Sequence, residues 1–305
     1  MKAVEFFSGI GAFAYAAHDF GIQISAAFDQ SDDANRVYNH NFNSAPSPRN
    51  LDSLNVDAVP EADIWWLSPP CKPYTVRGAQ RDASDPRARS LARIMELIPQ
   101  RLPRIIVVEN VEAFTGSAMH KRLEERLHES QYKVRTHPLC STMFGVPMKR
   151  PRVFVVARRD GGPIELIAPT GEQLPLSMFL NCDNTGGRLD IPPSELARHE
   201  NAMNIVTGNE GDYAICFTSG YDVSYRASGS FIRYGEDRVR RFDPQEILGL
   251  LGFGPDFEMP QETALRTQWR LLGNSVDVRC IRHLLTSLEA GPGVVKNDHD
   301  STSHC

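Results

Sequence analysis

The sequence lacks long apolar runs, and this absence excludes a class of membrane protein. No stretch reaches the ~18–20 apolar residues that a helix needs to span a bilayer. The first residues, MKAVEFFSGIG, include an acid and offer no small-residue cleavage site, so they do not resemble a secretion signal. We therefore expect a soluble, cytoplasmic protein that has no membrane partner.

Closely paired cysteines are also missing. The six cysteines stand at positions 71, 140, 182, 216, 280 and 305. None belongs to the CxxC pairs expected of a zinc or redox site, and a chain of 305 residues is too large to need disulfides for its stability. We expect reduced thiols and no metal.

An excess of positive charge is absent as well. The formal net charge of −5 gives no overall attraction to nucleic acid, so such a partner would need a local basic surface. One stretch after position 71 offers this surface: Lys72, Arg77, Arg81, Arg87, Arg89 and Arg93. A solvated loop would carry the same residues, so both interpretations stay open.

The first half of the chain alternates short apolar runs with helical patterns, which is typical of βα units. We predict an α/β fold with a doubly wound, mostly parallel sheet, because the runs are apolar enough to be covered on both faces. The expected strands are Val4–Phe7, Ile22–Phe28, Ile64–Leu67 and Ile105–Val108. The expected helices are Ala12–Phe20, Asp33–Asn41, Pro86–Leu97 and Ala118–Glu129. Two strands without a helix between them, Tyr132–Leu139 and Val153–Ala157, predict an antiparallel edge.

The second half predicts a smaller lobe. Residues 161–240 are richer in Gly, Asn, Asp and Pro and show weak periodicity. Helical patterns return at Asp243–Leu251 and Val276–Leu288. We therefore expect a main domain of residues 1–160 and 241–290, with residues 161–240 as the lobe. Residues 291–305 contain too little apolar material to pack, so we expect a disordered tail.

A glycine-containing turn, Ser8-Gly9-Ile10-Gly11, links the first predicted strand to the first predicted helix. Glycines at this junction let the backbone approach a ligand closely. Asp29 ends the second predicted strand roughly 20 residues later, where a carboxylate can accept hydrogen bonds from a ribose diol. The pair indicates a nucleotide-containing cofactor, although such a pair also occurs by chance.

Cys71 ends the segment WWLSPPC, in which an apolar strand runs into Pro69-Pro70. Prolines lack the donor that a strand ladder needs, so they place the next residue at the carboxyl end of the sheet. Ligands of open α/β sheets bind at that end. An isolated cysteine is usually an inert core residue, but the polar, basic sequence that follows favours a thiol beside the cofactor.

Three further segments contain candidate residues. Glu109 follows an apolar run, so its carboxylate is expected across the cleft from Cys71 with a pKa raised by burial. Arg150 and Arg152 open a strand at a spacing of two and can fix an anion or a base carbonyl, although a solvated edge would carry the same charges. In the segment LGNSV, Asn274 or Ser275 could cap the last helix.

In this order, the segments resemble the motifs of the cytosine-5 methyltransferase family. FFSGIGAF is similar to its cofactor loop, SPPCKPY to its nucleophile loop, ENV to its acid motif and KRPR to its paired-arginine motif. RRFDPQEILGLLGF and LLGNSV are similar to its two closing motifs. The resemblance implies a Rossmann-like fold with a target-recognition lobe. It also implies S-adenosyl-L-methionine as methyl donor, with S-adenosyl-L-homocysteine as product.

Within the family, details resemble the branch that methylates the anticodon loop of aspartate- and glutamate-type tRNA, historically named as a DNA methyltransferase homologue. The loop CKPYTVRG has threonine where many DNA enzymes have serine, and CFT at 216–218 followed by Gly220-Tyr221 resembles a segment of that branch. The short predicted lobe is also typical of that branch. Departures are Lys72 for the usual Gln, Tyr74 for Phe, and Met148 at a usually polar position that would steady the nucleophile loop.

The resemblance also implies roles for the catalytic residues. The Cys71 thiolate would add to carbon 6 of cytosine, since carbon 5 alone is a poor nucleophile. Glu109 would donate a proton to ring nitrogen 3. Arg150 and Arg152 would hold the base carbonyl or a phosphate and favour the thiolate. The base must be flipped out of its stack, which costs least in a single-stranded loop.

The resemblance also implies which residues bind the cofactor, with Phe7 and Asp52 near the adenine and Asp29 on the ribose. The expected cofactor contacts are Phe7, Gly9, Ile10, Gly11, Asp29, Asp52, Pro70, Asn274, Ser275 and Val276. The expected RNA contacts are Lys72, Thr75, Arg77, Arg81, Arg87, Cys216, Phe217, Thr218 and Tyr221. We expect a monomer that acts on tRNA.

Three other functions fit parts of the sequence. A DNA cytosine-5 methyltransferase of modification or defence would share the motifs. A catalytically silent nucleic-acid-binding protein is suggested by Met148 and by the acidic net charge. A nicotinamide dehydrogenase could use the GxG turn, but the single short GxG and the Pro-Pro-Cys loop disfavour it.

Overall fold

The computed structural model describes residues 1–71, 85, 88–181, 187–209 and 211–289. The strands are β1 (Lys2–Phe6), β2 (Gln23–Phe28), β3 (Ile64–Leu67), β4 (Ile105–Asn110), β5 (Lys133–Leu139), β6 (Met148–Lys149), β7 (Arg152–Arg158), β8 (Asn204–Val206), β9 (Ala214–Ile215), β10 (Ser230–Gly235) and β11 (Arg238–Arg241). The helices are α1 (Ala12–His18), α2 (Asp32–Phe42), α3 (Arg89–Arg101), α4 (Ala118–Glu129), α5 (Pro193–His199), α6 (Pro244–Leu250), α7 (Leu265–Asn274) and α8 (Val278–Glu289). Within these ranges, no helix is both long enough and apolar enough to span a membrane.

A six-stranded sheet in the order β2-β1-β3-β4-β7-β5 forms the centre of the molecule. The β1–β2, β1–β3 and β3–β4 pairs are parallel, which confirms the predicted mostly parallel α/β sheet. The β4–β7 and β5–β7 pairs are antiparallel, as predicted. Of these two antiparallel strands only β5 lies at an edge of the sheet, however, because β7 lies between β4 and β5. The paired arginines that precede or begin β7 therefore do not lie on a solvated edge strand.

The strand order reverses at β1, since the chain adds β2 on one side and then β3 on the other. Connections leave the carboxyl ends of β1 and β3 in opposite directions at such a point, which opens a crevice. This crevice holds the candidate site described below.

Apolar side chains cover both faces of the sheet, because successive residues of a strand point to opposite sides. Trp66 stacks on Phe13 of α1 on one face, with ring centroids 4.8 Å apart. Trp65 packs edge-on against Phe6 on the other face, at 5.1 Å. Each face has its own buried cluster. Helices α1 and α8 contribute to the first cluster, and α3 and α4 to the second.

The chain also forms two small sheets, β11-β10-β8 and β6-β9, whose strands all come from the second half except β6. Phe217, Phe231 and Phe242 from this region are fully buried and belong to the cluster that covers the α1 and α8 face. The small sheets therefore pack onto the main sheet through shared core residues. Residues 291–305, predicted to be disordered, lie outside the described residues.

Two element predictions need correction. Asn274 does not cap the last helix, because it is the final residue of α7 and Ser275 follows as that helix's C-cap. Asp277 caps α8 instead, because its carboxylate accepts the Arg279 N–H at 2.9 Å. Helix α3 continues past the predicted end at Leu97 and includes Pro99.

Candidate active site

A cleft lies at the carboxyl ends of β1 and β3. It consists of a larger cavity of about 670 Å³ and a smaller one of about 120 Å³. Both cavities are lined by Phe7, Gly9, Asp29, Asn274 and Ser275. The larger is also lined by Asp52, Pro70, Cys71, Glu109, Arg150 and Arg152, and the smaller by Ile10 and Val276. The cleft thus brings the four predicted catalytic residues together with most of the predicted cofactor contacts.

The glycine turn forms one wall of the cleft. Phe7 and Gly9 have positive φ angles of 58° and 55°, and Gly11 has 94°. A Cβ on Gly11 would lie 2.3 Å from the ring of Phe42. Because of that ring and the left-handed backbone, only glycine fits there. Gly11 lines neither cavity, so it affects the shape of the turn and not the surface of the cleft.

Asp29 joins the turn to the end of β2. Its two carboxylate oxygens accept the N–H groups of Gly9 and Ser31, each at 2.8 Å. Each oxygen retains a lone pair with which to accept a ligand hydroxyl. Burial raises the pKa of Asp29 above its ordinary value, although both N–H groups act to lower it.

The smaller cavity contains polar groups of which the sequence had indicated Ser275 but not Ser8 or Arg270. The hydroxyls of Ser8 and Ser275 are buried and have no hydrogen-bond partner among the described residues. Buried hydroxyls normally have partners, so these two suit a polar ligand. Arg270 also lines the cavity, and its guanidinium pairs with Asp33 at 2.5 Å. The wall therefore offers hydroxyls, the Asp29 carboxylate and one guanidinium.

Asp52 lies on the far wall of the larger cavity. It belongs to a short 3-10 turn, Leu51–Ser53, whose first N–H groups are capped by Asn50. Its carboxylate accepts the hydroxyl of Ser90 from α3 at 2.5 Å. The contact fixes the carboxylate at the cavity wall.

Cys71 follows β3 and the two prolines, at the mouth of the crevice. The Asn110 side chain donates to the Pro69 carbonyl at 3.1 Å, which ties the segment before Cys71 to the end of β4. The thiol is half-buried and lines the larger cavity, so it is not sealed in the core. Burial raises the pKa of Cys71; Arg152 and Arg150 lower it, and Glu109 raises it further.

Glu109 ends β4 in the same cavity and is 6% exposed. Its Oε1 lies 3.2 Å from the Nε of Arg152. The Ser68 hydroxyl donates to the carboxylate and itself accepts the Trp66 indole N–H at 3.0 Å. Burial raises the pKa of Glu109 above its ordinary value and outweighs the lowering by Arg152, Arg150 and Ser68. A protonated carboxyl group is therefore accessible at this position.

The paired arginines have different partners. The Arg150 guanidinium is buried and donates to the backbone carbonyls of Phe217, Gly273 and Ser275 and to the sulfur of Cys216. These bonds join three distant parts of the chain. Arg152 contacts Glu109 instead, and its Nη2 lies 3.7 Å from the same sulfur. Arg152 is thus the arginine next to the reactive groups, whereas Arg150 clamps the wall of the cleft.

The predicted contacts of the lobe differ in exposure. Phe217 is 1% exposed and Tyr221 is 0% exposed. The Tyr221 hydroxyl also accepts the Phe242 N–H at 2.9 Å and donates to a backbone carbonyl. Burial leaves neither ring a surface with which to contact RNA, so the structure places both as packing residues. Cys216 and Thr218 are half-buried.

Other candidates have no described position in the cleft. The predicted RNA contacts Lys72, Thr75, Arg77, Arg81 and Arg87 lie outside the described residues, as does Tyr74. Arg93 is used within the protein, where it donates to the Leu54 carbonyl and pairs with Glu96. Met148 is fully buried in the core.

Comparison with known proteins finds matches to one protein family. A family model described as C-5 cytosine-specific DNA methylase matches residues 1–179. A bovine tRNA (cytosine(38)-C(5))-methyltransferase is 25% identical, and the alignment covers 94% of this chain and 99% of the relative.

Solved structures give the same result for the fold. The Entamoeba histolytica methyltransferase EhMeth superposes with a TM-score of 0.87 at 26% identity, covering 94% of this chain and 97% of that one. The S. pombe Dnmt2 methyltransferase superposes with a TM-score of 0.84 at 25% identity, covering 96% and 99%. The fold is therefore the Rossmann-like methyltransferase fold that the sequence motifs implied.

Proposed function

Because the chain belongs to the C-5 cytosine-specific DNA methylase family, we propose that it methylates carbon 5 of a cytosine in the anticodon loop of tRNA through a covalent bond to Cys71. The observation that supports this most is the shared cleft. The Cys71 thiol and the Glu109 carboxyl group line the cavity that also contains the glycine turn and Asp29. A nucleophile, an acid and a nucleotide-binding wall are thus adjacent.

The smaller cavity fits the amino-acid end of S-adenosylmethionine. Arg270 would bind the carboxylate of that end, and the unpartnered hydroxyls of Ser8 and Ser275 would gain polar partners. Asp29 would accept the ribose hydroxyls at the junction of the two cavities. When bound, the cofactor supplies an electrophilic methyl group on a sulfonium.

Phe7 and Asp52 line the larger cavity on the side that would hold the adenine. Phe7 offers an aromatic face, and Asp52 can accept a hydrogen bond from the exocyclic amine. The Ser90 hydroxyl fixes the orientation of Asp52. Both residues therefore orient the nucleoside part.

Cys71 is the nucleophile in this proposal. The proton of its thiol passes to the Glu109 carboxylate and a bond forms between Sγ and carbon 6 of the cytosine, so ring electrons shift toward carbon 5 and nitrogen 3. Glu109 gives its proton to nitrogen 3, which prevents charge from accumulating on the ring. After carbon 5 has gained its methyl group, the carbon 5 proton is lost to water, the Sγ–carbon 6 bond breaks, and nitrogen 3 returns its proton to the Glu109 carboxylate, which releases the product.

The arginines position these groups. Arg152 contacts Glu109 at 3.2 Å, so it fixes the carboxyl group that faces the ring. Arg150 holds the backbone at Gly273 and Ser275, next to the proposed cofactor cavity. Loss of either guanidinium would leave buried acceptors without donors, which is costly.

The choice of tRNA over DNA rests on the relatives and on the cost of exposing the base. The bovine relative is named for cytosine 38 of tRNA, and we propose the same position here. The cytosine must leave its stack to reach a thiol inside a cleft, which costs a few kcal/mol in a duplex and less in a single-stranded loop. An anticodon loop presents unstacked bases.

One experiment separates tRNA from DNA. Purified protein and radiolabelled methyl donor are incubated with total tRNA and, in parallel, with duplex DNA. We expect label on carbon 5 of cytosine in tRNA. Preferential labelling of DNA would overturn the proposed substrate, and labelling of neither would favour a silent nucleic-acid-binding protein.

A second experiment tests the covalent step. In the presence of the methyl donor, RNA that contains 5-fluorocytosine should form a stable adduct with the protein, because after methyl transfer carbon 5 carries fluorine in place of the proton whose loss permits elimination. Cys71→Ala should abolish the adduct while S-adenosylhomocysteine still binds, as measured by calorimetry. Cys140→Ala is the matched control, since Cys140 is another half-buried free cysteine that does not line the cleft; loss of the adduct in that control would contradict the assignment.

A further inference from the structure

A second cysteine lies between the two arginines of the site. The Cys216 sulfur is 3.0 Å from Nη1 of Arg150 and 3.7 Å from Nη2 of Arg152. Both guanidiniums therefore face one sulfur atom, which also lies 3.4 Å from the carbonyl oxygen of Phe217. The sequence motif CFT suggested that Cys216 contacts RNA, but its sulfur faces the arginines.

The two guanidiniums need negative partners. Arg150 is 2% exposed, and a buried charge is stable only when it is paired. Within the described residues, its other acceptors are neutral backbone carbonyls and it makes no ion pair with a carboxylate. Arg152 pairs with Glu109 at 3.2 Å. Cys216 and Glu109 are thus the acidic groups in direct contact with the pair.

The proposed reaction makes Glu109 unsuitable as a permanent anion. Glu109 has to hold a proton when it donates to nitrogen 3, and a protonated carboxyl group cannot balance Arg152. The nearest further acid, Asp277, is paired with Arg279 at 3.4 Å. Among the residues that the structure describes, the remaining group next to both guanidiniums that can carry a lasting negative charge is the sulfur of Cys216.

We propose that Cys216 is a positioning residue that stays ionised as the thiolate counter-ion of Arg150 and Arg152, so that one exchangeable proton is left for Cys71 and Glu109 to share. The proposal rests on the function proposed above. When Cys216 is a thiolate, its charge and that of one further anion balance the two positive charges of Arg150 and Arg152. The further anion is either the Glu109 carboxylate or the Cys71 thiolate. The proton can therefore move between these two groups without changing the net charge of the site.

The reaction balances on this basis. The proton of the Cys71 thiol passes to the Glu109 carboxylate, the thiolate forms the bond to carbon 6, and the Glu109 proton goes to nitrogen 3. Glu109 ends as a carboxylate beside Arg152. If Cys216 were neutral, the arginines would hold both Cys71 and Glu109 in their ionised forms. No proton would then be available for the ring.

The charged groups around Cys216 support this assignment. Burial acts to raise the pKa of Cys216, but Arg150 and Arg152 together outweigh it and bring the pKa below its ordinary value. Burial has the opposite result at Cys71, whose pKa lies above its ordinary value. Glu109, Cys71 and Asp277 are the other titratable groups that interact with the arginine pair.

The first test follows the alkylation of Cys71 by iodoacetamide against pH in free protein, with the Cys71 peptide quantified by mass spectrometry. In Cys216→Ser the uncompensated arginines should lower the midpoint by about one to three pH units. Cys216→Asp keeps a negative charge and should restore the wild-type midpoint. Cys140→Ser, outside the cluster, should not move it. An unchanged or higher midpoint in Cys216→Ser, or an equal shift in Cys216→Asp, would overturn the proposal.

The second test detects the Cys216 thiolate directly and needs no neutral substitution at Cys216. Absorbance near 240 nm is compared at neutral pH between Cys71→Ala and the double variant Cys71→Ala, Cys216→Asp. We expect the double variant to lose the absorbance of one thiolate, and equal absorbance would overturn the proposal. Neither test contains RNA, so failure here differs from failure of the 5-fluorocytosine adduct, which would reject the proposed function itself.

Discussion

At the scale of single residues, burial is the main influence on both reactive groups. It raises the pKa of Cys71 and of Glu109 above their ordinary values. The arginines act against it at both groups, and the Glu109 carboxylate raises the pKa of Cys71 further. The free enzyme therefore favours a Cys71 thiol, and the thiolate has to form when the base is in place. A cleft that excludes water suits this timing, because the charge exists only while it is used.

The Glu109→Gln substitution separates the two effects of this carboxyl group. The amide cannot donate an acidic proton, so formation of the 5-fluorocytosine adduct should slow by about 10²–10⁴-fold. Removal of the carboxylate also removes a group that raises the pKa of Cys71. Alkylation of Cys71 should then reach its midpoint at a lower pH. The exposed Glu112→Gln serves as control, and a midpoint that rises in Glu109→Gln would contradict the assignment.

Arg270 gives a prediction about the cofactor that does not depend on turnover. Arg270→Gln removes the guanidinium of the smaller cavity, so S-adenosylhomocysteine should bind about tenfold more weakly, which corresponds to ~1.4 kcal/mol. Methylthioadenosine lacks the amino-acid end and should bind both proteins equally in calorimetry. Arg266→Gln, on the same helix but 72% exposed, is the matched control. Equal weakening of both ligands would show that Arg270 does not bind the carboxylate.

Local patterns made some of these residues predictable and others not. Cys71 and Glu109 follow buried parallel strands, so their place at one end of the sheet could be predicted from apolar runs and prolines. Arg150 and Arg152 have the same local pattern, yet their partners differ because Gly273 and Ser275 approach one of them from more than a hundred residues away. The burial of Tyr221 was not predictable either, since it depends on how the lobe packs on the sheet.

At the scale of elements, the packing of α7 against the lobe fixes the shape of the cleft. A Cβ on Gly273 would lie 2.2 Å from the backbone carbon of Thr218. Gly273→Ala should therefore push these segments apart and lower stability by about 1–3 kcal/mol. It should also weaken S-adenosylhomocysteine binding, because Asn274 and Ser275 follow directly. Thermal unfolding and calorimetry measure the two effects.

Gly249 in α6 provides the control. A Cβ there would meet the ring of Phe179 at 3.7 Å, which is an ordinary contact. Gly249→Ala should keep wild-type ligand affinity and gain about 0.5–1 kcal/mol, since alanine favours the helix. If Gly273→Ala proved as stable as Gly249→Ala, the close approach of α7 and the lobe would be wrong.

Elements with strong apolar runs were predictable, and those with mixed composition were not. The four parallel strands stand where the apolar runs predicted them, within two residues at each end. Helix α7 was missed, although Leu265, Trp269 and Leu272 have helical spacing. The segment around Pro99 was predicted to end a helix, but α3 continues for two residues beyond it. Proline has no N–H to donate to the Met95 carbonyl, and α3 ends two residues after it.

At the scale of the whole molecule, several acids are buried near the cleft with raised pKa values, including Glu5, Asp29, Glu109 and Asp277. This arrangement is useful to an enzyme that must hold a neutral acid, but it affects stability. A folded state that keeps protons which the unfolded chain loses becomes less stable as pH rises. We therefore expect the protein to be more stable in mild acid than in mild base.

Glu5 is the buried acid whose effect on the pH dependence of stability should be clearest. It is 0% exposed on β1, the strand that leads into the glycine turn, and the Tyr38 hydroxyl donates to it at 2.6 Å. Burial raises the pKa of Glu5 from 4.5 to about 8. Between these values the folded protein binds one more proton than the unfolded chain. Its contribution to stability is complete below 4.5 and is lost as pH rises through 8, with a slope that approaches about 1.4 kcal/mol per pH unit.

Glu5→Gln should remove this dependence, because the amide is neutral at every pH and can still accept from Tyr38. Denaturant unfolding at about pH 6 and about pH 8.5 should show a smaller loss of stability in Glu5→Gln than in the wild type. The exposed Glu61→Gln should lose as much stability as the wild type. A wild type that becomes more stable between the two pH values would mean that Glu5 is ionised in the folded state. The extra proton of the folded state would then be absent, and the raised pKa of Glu5 would be incorrect.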